Sequence, residues 1–356
     1  MQVMKVLDRV IGQDDPTYFI ADIAANHDGS LSRAKDLVKR CADAGADAAK
    51  FQNFFAKTIV SDLGFKQLSL KSHQSNWNQS VYDVYDKASI SLEWTHELYQ
   101  TCSESGIHYL TSPYDMSILD ELDKFVCAWK VGSGDITWHD IIRDLAQRKK
   151  PLFIATGAST LDEVNLAMSI ATSYTDDVCL MQCNTNYTGS LENFKYVNLS
   201  VLSSYRKIYP KIILGLSDHT PGDVTVLGAI ALGAKVIEKH FTDDQNRDGP
   251  DHKFSMSPAE WRRMVDNSRL MEASIGDGVK RIEDNEKETT ILQRRSICAS
   301  IDLEAGTSID RRNIYFVRPC PPLSYAPYQF DEINGKILRK TVKKGQPFVR
   351  DDFEKS

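Results

Sequence analysis

The chain predicts an α/β protein, a closed (β/α)8 TIM barrel followed by a small C-terminal unit, and three observations carry that expectation. Short apolar runs rich in Ile, Val and Leu alternate with helical stretches eight times through about residue 275, the pattern of parallel strands buried on both faces. No Gly-x-Gly-x-x-Gly follows any of these runs, which sets a doubly wound sheet behind the barrel. The 356 residues leave room for one large domain of about 250 residues and a smaller second one.

In chain order, strands are expected over 18–24, 46–51, 107–111, 128–131, 151–156, 178–182, 212–216 and 234–238. Helices are expected over 30–44, 92–105, 161–172 and 258–274, with Ser30, Ser91, Thr160 and Ser257 standing in front of them as N-caps. Residues 221–233 read as one further helix, which makes the runs before and after it neighbouring strands. Residues 53–89 exceed a plain strand-to-helix connection and read as an insertion covering a substrate. After Gly276-Asp277-Gly278 the sequence becomes densely charged from 280 to 287. The expected division is therefore a barrel over 1–278, a linker over 279–290 and a second unit over 291–356. Inside that unit 305–314 is echoed by 344–353, each with Gly, an apolar residue three positions on and an Asx-apolar ending. Such an echo predicts a small pseudo-symmetric domain of short strands and turns.

Composition removes several function classes. A net charge of −6 gives no electrostatic footprint for nucleic acid or an anionic membrane. The apolar runs are too short for a membrane span, and residues 1–9 contain no signal-peptide core. Seven scattered cysteines without a Cys-x-x-Cys pair fit reduced thiols, so a cytoplasmic protein is expected.

Side chains alternate along a strand, so a charged residue that shares the inward parity of a buried strand needs a reason. Asp22 shares such a parity with Asn26, Lys50 with Gln52, Ser217 with His219 and Glu238 with His240, while Lys130 sits in an otherwise apolar run. Barrel enzymes carry their chemistry at the carboxyl ends of the strands, so these side chains are expected at one mouth. Two lysines with the hydroxyls of Ser112, Ser133, Thr156 and Ser217 make an anion pocket, most simply for phosphate. His219 and His240 with nearby carboxylates have the ligand types for Mn2+, Zn2+ or Fe2+. Together they point to a phosphorylated substrate reacting with a metal-polarised carbonyl. A metal-dependent aldolase shares this list.

Six ordered motifs narrow it. Ala25-Asn-His-Asp-Gly-Ser30, Gly45-Ala-Asp-Ala-Ala-Lys-Phe-Gln52, Lys130-Val-Gly-Ser-Gly134, Gly215-Leu-Ser-Asp-His-Thr220, Glu238-Lys-His-Phe-Thr242 and Gly249-Pro-Asp-His252 resemble the sialic acid synthase family. The resemblance extends into the C-terminal unit, where Arg294-Arg-Ser-Ile-Cys-Ala299 and Val317-Arg-Pro319 resemble the antifreeze-like (SAF, β-clip) domain. It implies condensation of phosphoenolpyruvate with an N-acetylated amino sugar to a nine-carbon 2-keto acid. It places a divalent metal, Mn2+ first with Mg2+ or Co2+ as alternatives, on His219 and His240. Phosphoenolpyruvate contacts fall on Lys50, Lys130, Ser133 and Ser217, with Tyr187 nearby. The amino sugar would meet Asp22, Asn76, Asp135, Asp251 and Arg318, and Glu238 would act through water near the metal. Catalytic roles thus fall on Asp22, Lys50, Asp135 and Glu238. The resemblance also implies a domain-swapped homodimer in which Arg318 reaches the partner's site.

The chain departs from the family pattern mostly on the acceptor side, and at Ala155 in the phosphate pocket. Asp22 and Asp135 stand where Glu is usual, Ala155 replaces a usual Ser, and Pro319-Cys-Pro-Pro-Leu-Ser324 replaces a Pro-Gly-rich turn. Tyr187 also lacks the proline that commonly follows it. The expected acceptor is N-acetylmannosamine or its 2,4-diacetamido-dideoxy analogue, ahead of a pseudaminic acid precursor. Two rivals remain: a metal-dependent retro-aldol lyase of a sialic-like 2-keto acid, and a non-catalytic carbohydrate-binding protein.

Overall fold

The computed structural model describes residues 3–68 and 79–353, and the chain divides into two compact units, Met1–Gly276 and Asp277–Ser356. In the first, an antiparallel hairpin of β1 (Met4–Val6) and β2 (Arg9–Ile11) precedes eight parallel strands. These are β3 (Tyr18–Asp22), β4 (Ala48–Asn53), β5 (His108–Pro113), β6 (Trp129–Val131), β7 (Leu152–Ala155), β8 (Val178–Cys183), β9 (Ile213–Asp218) and β10 (Ala234–His240). Each neighbours the next, and β10 pairs back onto β3 with His240 beside Asp22, so the sheet is a closed barrel. Closure excludes the doubly wound alternative.

The helices form for local reasons. Ser30, Ser91, Thr160 and Ser257 each accept a hydrogen bond from the backbone N–H three residues on, satisfying a donor the first turn would leave unpaired. Thr160 with Glu163 and Ser257 with Glu260 complete capping boxes. The helix expected over 221–233 is shorter, Val224–Ala231, because Gly222 takes a positive φ of 73° before it and Gly233 one of 92° after it.

Inside the barrel the alternation is graded along each strand. Tyr18 and Ile20 are followed at the same parity by Asp22, Val236 by Glu238 and His240, and Ala48 by Lys50 and Gln52. The lower layers form an apolar cluster of Tyr18, Ile20, Leu110, Phe153, Met181 and Val236, and Met4, Val6 and Ile11 of the hairpin pack into it. The hairpin thus seals the amino-terminal end of the barrel, a role the sequence reading did not assign to it. The second and larger cluster lies between the outer strand faces and the helices, around Leu37, Leu98, Ile141, Leu214 and Trp261.

The second unit has its own core, around Ile297, Ile309, Ile333, Leu338, Phe348 and Phe353. β11 (Ser296–Ala299) pairs antiparallel with β12 (Ile314–Val317). The echo noted in the sequence is a structural pseudo-dyad. Leu303 and Val342 exchange both backbone hydrogen bonds, at 2.9 and 2.8 Å. Ala299 N–H donates to the Gln346 carbonyl while, in the other repeat, Leu338 N–H donates to that of Thr307. Gly306 and Gly345 occupy matching turns with φ of 89° and 85°, and Ile309 and Phe348 are the matching buried residues. Part of the stretch expected as a linker is helical, at Lys287–Leu292, and its Ile291 carbonyl accepts from Cys320 N–H at 2.8 Å.

A Cβ at Gly306 would meet nothing within 4 Å, and one at Gly345 only the Tyr315 hydroxyl at 3.5 Å, so Ala at either position is strained by backbone alone. Gly306→Ala and Gly345→Ala are each expected to cost the second unit about 1–2 kcal/mol. Hydrogen exchange of peptides from 296–353 should accelerate about 5- to 30-fold in both variants, while barrel peptides exchange as in the parent.

Candidate active site

Of the residues that the family resemblance assigns to the site, all but Asn76 and Arg318 line one cavity of about 350 Å3 at the carboxyl ends of the barrel strands. Asn76 lies outside the described residues. Arg318 belongs to the second unit, directly after β12. The insertion expected over the mouth contributes Phe54, Ile59, Val84 and Tyr85 to the cavity wall.

Four charged side chains form the floor, none more than 4% exposed. Lys50 Nζ lies 2.7 Å from Asp22 Oδ2 and 4.0 Å from Glu238 Oε2. Lys130 Nζ lies 3.1 Å from Glu238 Oε1, which also accepts a hydrogen bond from Ser217 Oγ at 3.0 Å. Register explains the near contacts, since Asp22 is the cross-strand partner of Lys50 and Ser217 that of Glu238. β6 stands four strands from β10 in either direction, so the Lys130–Glu238 pair crosses the interior.

The charge states follow from this packing. Burial pushes the Glu238 carboxyl up, but Lys130 and Lys50 outweigh it and hold the group down at about 2. Burial likewise pulls the Lys50 ammonium down, and Asp22 with Glu238 reverses that, holding it above its ordinary value. Burial raises Asp22 despite its ion pair with Lys50. Half-buried Asp135 and Asp251, on the rim, are each raised to about 6, mainly by burial. Asp251 Oδ2 accepts from the Ala25 N–H at 3.1 Å.

His219 and His240 stand side by side with ring centroids 5.3 Å apart. Tyr187 packs edge-on to His219 at 4.3 Å and Phe254 edge-on to His240 at 4.9 Å. Burial lowers His219 to about 4 and His240 to about 3, so both rings are neutral at ordinary pH. His219 Nδ1 lies 3.0 Å from the Asn184 carbonyl, which can only accept; Nδ1 carries the proton and Nε2 keeps its lone pair. His240 Nε2 lies 3.5 Å from Asp22 Oδ2, and its buried Nδ1 has no hydrogen-bond partner among the described residues. Two neutral imidazoles with a lone pair unmet fit a divalent cation. The two rings could hold one, and among the described residues no cluster of three or more His, Cys, Asp or Glu is arranged to do so.

Two of the expected hydroxyls, Ser112 and Thr156, do not line the cavity, and Ser112 Oγ accepts from Lys50 Nζ at 3.4 Å. Thr156 is tied to the Met181 carbonyl at 3.1 Å and accepts from Tyr205 Oη at 3.1 Å, apart from the anion pocket. Other groups were not foreseen. Tyr114 enters the cavity against Gly132, where a Cβ would come within 2.6 Å of its hydroxyl oxygen. Its place one residue past β5, and the glycine inside the Lys-Val-Gly-Ser-Gly motif, are the signals that mark it. The Asn184 carbonyl and the Phe254 ring have no such signal, since neither residue type announces the role.

The NeuB family model matches residues 37–280. The chain belongs to the NeuB family. A SAF domain model matches residues 294–354, in the second unit. This NeuB-family chain is 32% identical over 334 residues to the N,N'-diacetyllegionaminic acid synthase of Campylobacter jejuni, covering 93% of this chain and 98% of the relative. It is 30% identical over 344 residues to the pseudaminic acid synthase of the same species, covering 96% and 98%. In fold it resembles the N-acetylneuraminic acid synthetase of Leptospira borgpetersenii, with a TM-score of 0.71, 24% identity and 81% and 95% of the two chains covered. Among the described residues no helix is long and apolar enough to cross a membrane.

Asp135 yields a pH test. A carboxyl raised in the folded state from 3.8 to about 6 holds its proton after the unfolded chain has lost it. The folded state therefore loses stability relative to the unfolded as pH rises through that window. Asp135→Asn removes the dependence. Thermal denaturation should show the difference between variant and parent growing in the variant's favour from pH about 4 to about 6 and level on either side. A flat difference would exclude the raised carboxyl.

Proposed function

We propose that the protein condenses phosphoenolpyruvate with the aldehyde of an N-acetylated amino sugar, forming a nine-carbon 2-keto acid and releasing inorganic phosphate. The observation that carries this reading is the convergence of buried Lys50, Lys130 and Ser217 with half-buried Ser133 beside two neutral imidazoles in one cavity. Ammonium and hydroxyl donors suit a phosphate and a carboxylate on the same small molecule. The names of the Campylobacter relatives, synthases of diacetyllegionaminic and pseudaminic acid, support the product class.

In this reading C3 of phosphoenolpyruvate bonds to the aldehyde carbon, and the aldehyde oxygen takes up a proton. Water adds to the cationic C2, and collapse of the tetrahedral species breaks the C–O bond to phosphate and leaves a ketone. His219 and His240 would hold a divalent cation, Mn2+ first, which when bound supplies Lewis-acid polarisation of a carbonyl. Glu238, held ionised by Lys130 and Lys50, accepts a hydrogen bond from the attacking water. Lys50 and Lys130 stabilise the phosphate as its charge grows. Asp22, Asp135 and Asp251 face the acceptor, and holding both substrates in one cavity removes the entropy of a bimolecular encounter. N-acetylmannosamine and its 2,4-diacetamido analogue are the proposed acceptors. The shorter Asp22 and Asp135 would give each about a methylene more room, worth about 1–3 kcal/mol of discrimination.

The test is phosphate release from phosphoenolpyruvate with Mn2+ and a panel of N-acetylated hexosamines. Turnover is expected with the two proposed acceptors and more slowly with a pseudaminic precursor; pyruvate formation without phosphate release would identify a lyase instead. Chelation should stop the reaction and Mn2+ restore it, and His219→Ala or His240→Ala should each lower turnover by about 10^3-fold or more in a folded protein. The proposal extends to a homodimer in which Arg318 serves the acceptor bound by the partner. Mixing inactive Arg318→Ala with inactive His219→Ala subunits should restore activity, whereas proven subunit exchange without recovery rejects the sharing.

A further inference from the structure

Two motif residues have no part in the reaction just described. Asp28 follows β3 and His252 follows β10, the two strands whose pairing closes the barrel. His252 is fully buried; its Nε2 lies 2.8 Å from Asp28 Oδ1, and its Nδ1 meets the Thr242 hydroxyl at 2.7 Å. The second Asp28 oxygen accepts from Arg247 Nε at 2.8 Å and is ion-paired with Arg33, whose Nε lies 3.2 Å away and donates to the Asn26 carbonyl. Asp28 keeps a positive φ of 51°, a conformation that Asp and Asn tolerate and most residues resist. Gly249 leaves the room this requires, because a Cβ there would come within 2.6 Å of the His252 ring. The residue before Asp28 in the motif, His27, turns to Trp94 instead, edge-on at 5.6 Å.

The residue before His252 is Asp251, whose carboxyl lines the cavity and accepts from the Ala25 N–H. The Asp251 backbone carbonyl accepts from Ser255 Oγ at 2.6 Å, and Ser255 Oγ accepts in turn from Asn26 Nδ2 at 2.9 Å. The two loops are thus joined around Asp251 by two links, the neutral Asn26–Ser255 bridge and the Asp28–His252 pair. We propose that Asp28 and His252 are positioning residues that fix the Asp251 carboxyl and the Ala25 N–H for the amino-sugar acceptor. This inference rests on the acceptor role given to Asp251 above.

Asp28→Gly deletes the carboxylate at a φ that glycine adopts freely, and Asp28→Asn keeps an acceptor oxygen at the same place. Full-length Asp28→Gly is expected to raise KM for the amino sugar at least about tenfold while KM for phosphoenolpyruvate stays within about twofold, and Asp28→Asn to stay near the parent in both. Hydrogen exchange needs no substrate: peptides from 243–256 should exchange at least about fivefold faster in Asp28→Gly and His252→Ala than in the parent or Asp28→Asn. Unchanged exchange in both deletion variants, equal rises in the two KM values, or an Asp28→Asn variant as impaired as Asp28→Gly would each overturn the proposal. A parent enzyme without turnover would reject the reaction assigned above, and the exchange result would still decide whether the pair locks the loops.

Discussion

The ion pair between Lys130 and Glu238 spans the barrel, and the rest of the site is arranged around it. A charge buried this deeply survives only if it is answered nearby, and the floor answers two ammoniums, Lys50 and Lys130, with two carboxylates, Asp22 and Glu238. Deleting one partner of such a pair costs about 3–5 kcal/mol, whereas replacing all members by apolar side chains is often neutral. Stability alone therefore does not explain the set. In the proposed reaction its use lies in holding two ammoniums oriented, so that an entering phosphate or carboxylate finds its donors already placed.

Much of this was legible in the sequence because a buried parallel strand has so few acceptable residues. Lys50, Lys130 and Glu238 stand out inside apolar runs, and period-two alternation places each on the inward side. All eight strand runs and four N-caps were legible for the same kind of local reason, and the family resemblance added Asp135, Tyr187 and Asp251 to the cavity while Tyr114 went unforeseen. The doubly wound alternative could be set aside only by closure, a long-range pairing of β3 with β10 that no local pattern encodes. Thr156 misled because a hydroxyl beside a strand end can satisfy itself on a neighbouring carbonyl as easily as on a ligand. The Asn184 carbonyl escaped because every residue has one; only the folded chain shows which carbonyl selects the tautomer of His219.

The second unit shows a different economy. Its repeats, thirty-nine positions apart (303 to 342, 306 to 345, 309 to 348), make reciprocal backbone hydrogen bonds around one pseudo-dyad. Short bridges and turns supply little regular sheet, so the core of Ile309, Phe348 and their neighbours carries the packing. Each repeat buries its apolar face against the other.

Closure of the barrel by β3 and β10 has a kinetic side. Tyr18 finds its partner Val236 only after nearly the whole first unit has been synthesised. Until then a partial barrel exposes two unpaired parallel edges, which invite association with other chains. Loop-closure entropy must be overcome before that last pairing rewards it, so ring closure belongs among the late and slow events of folding. The Asp22–Lys50 pair joins strands near the start of the chain, but Glu238 arrives with the final strand. The nascent barrel therefore holds Lys130 without its counter-charge, and the ribosome has nearly finished the first unit before the floor of the cavity can become electroneutral.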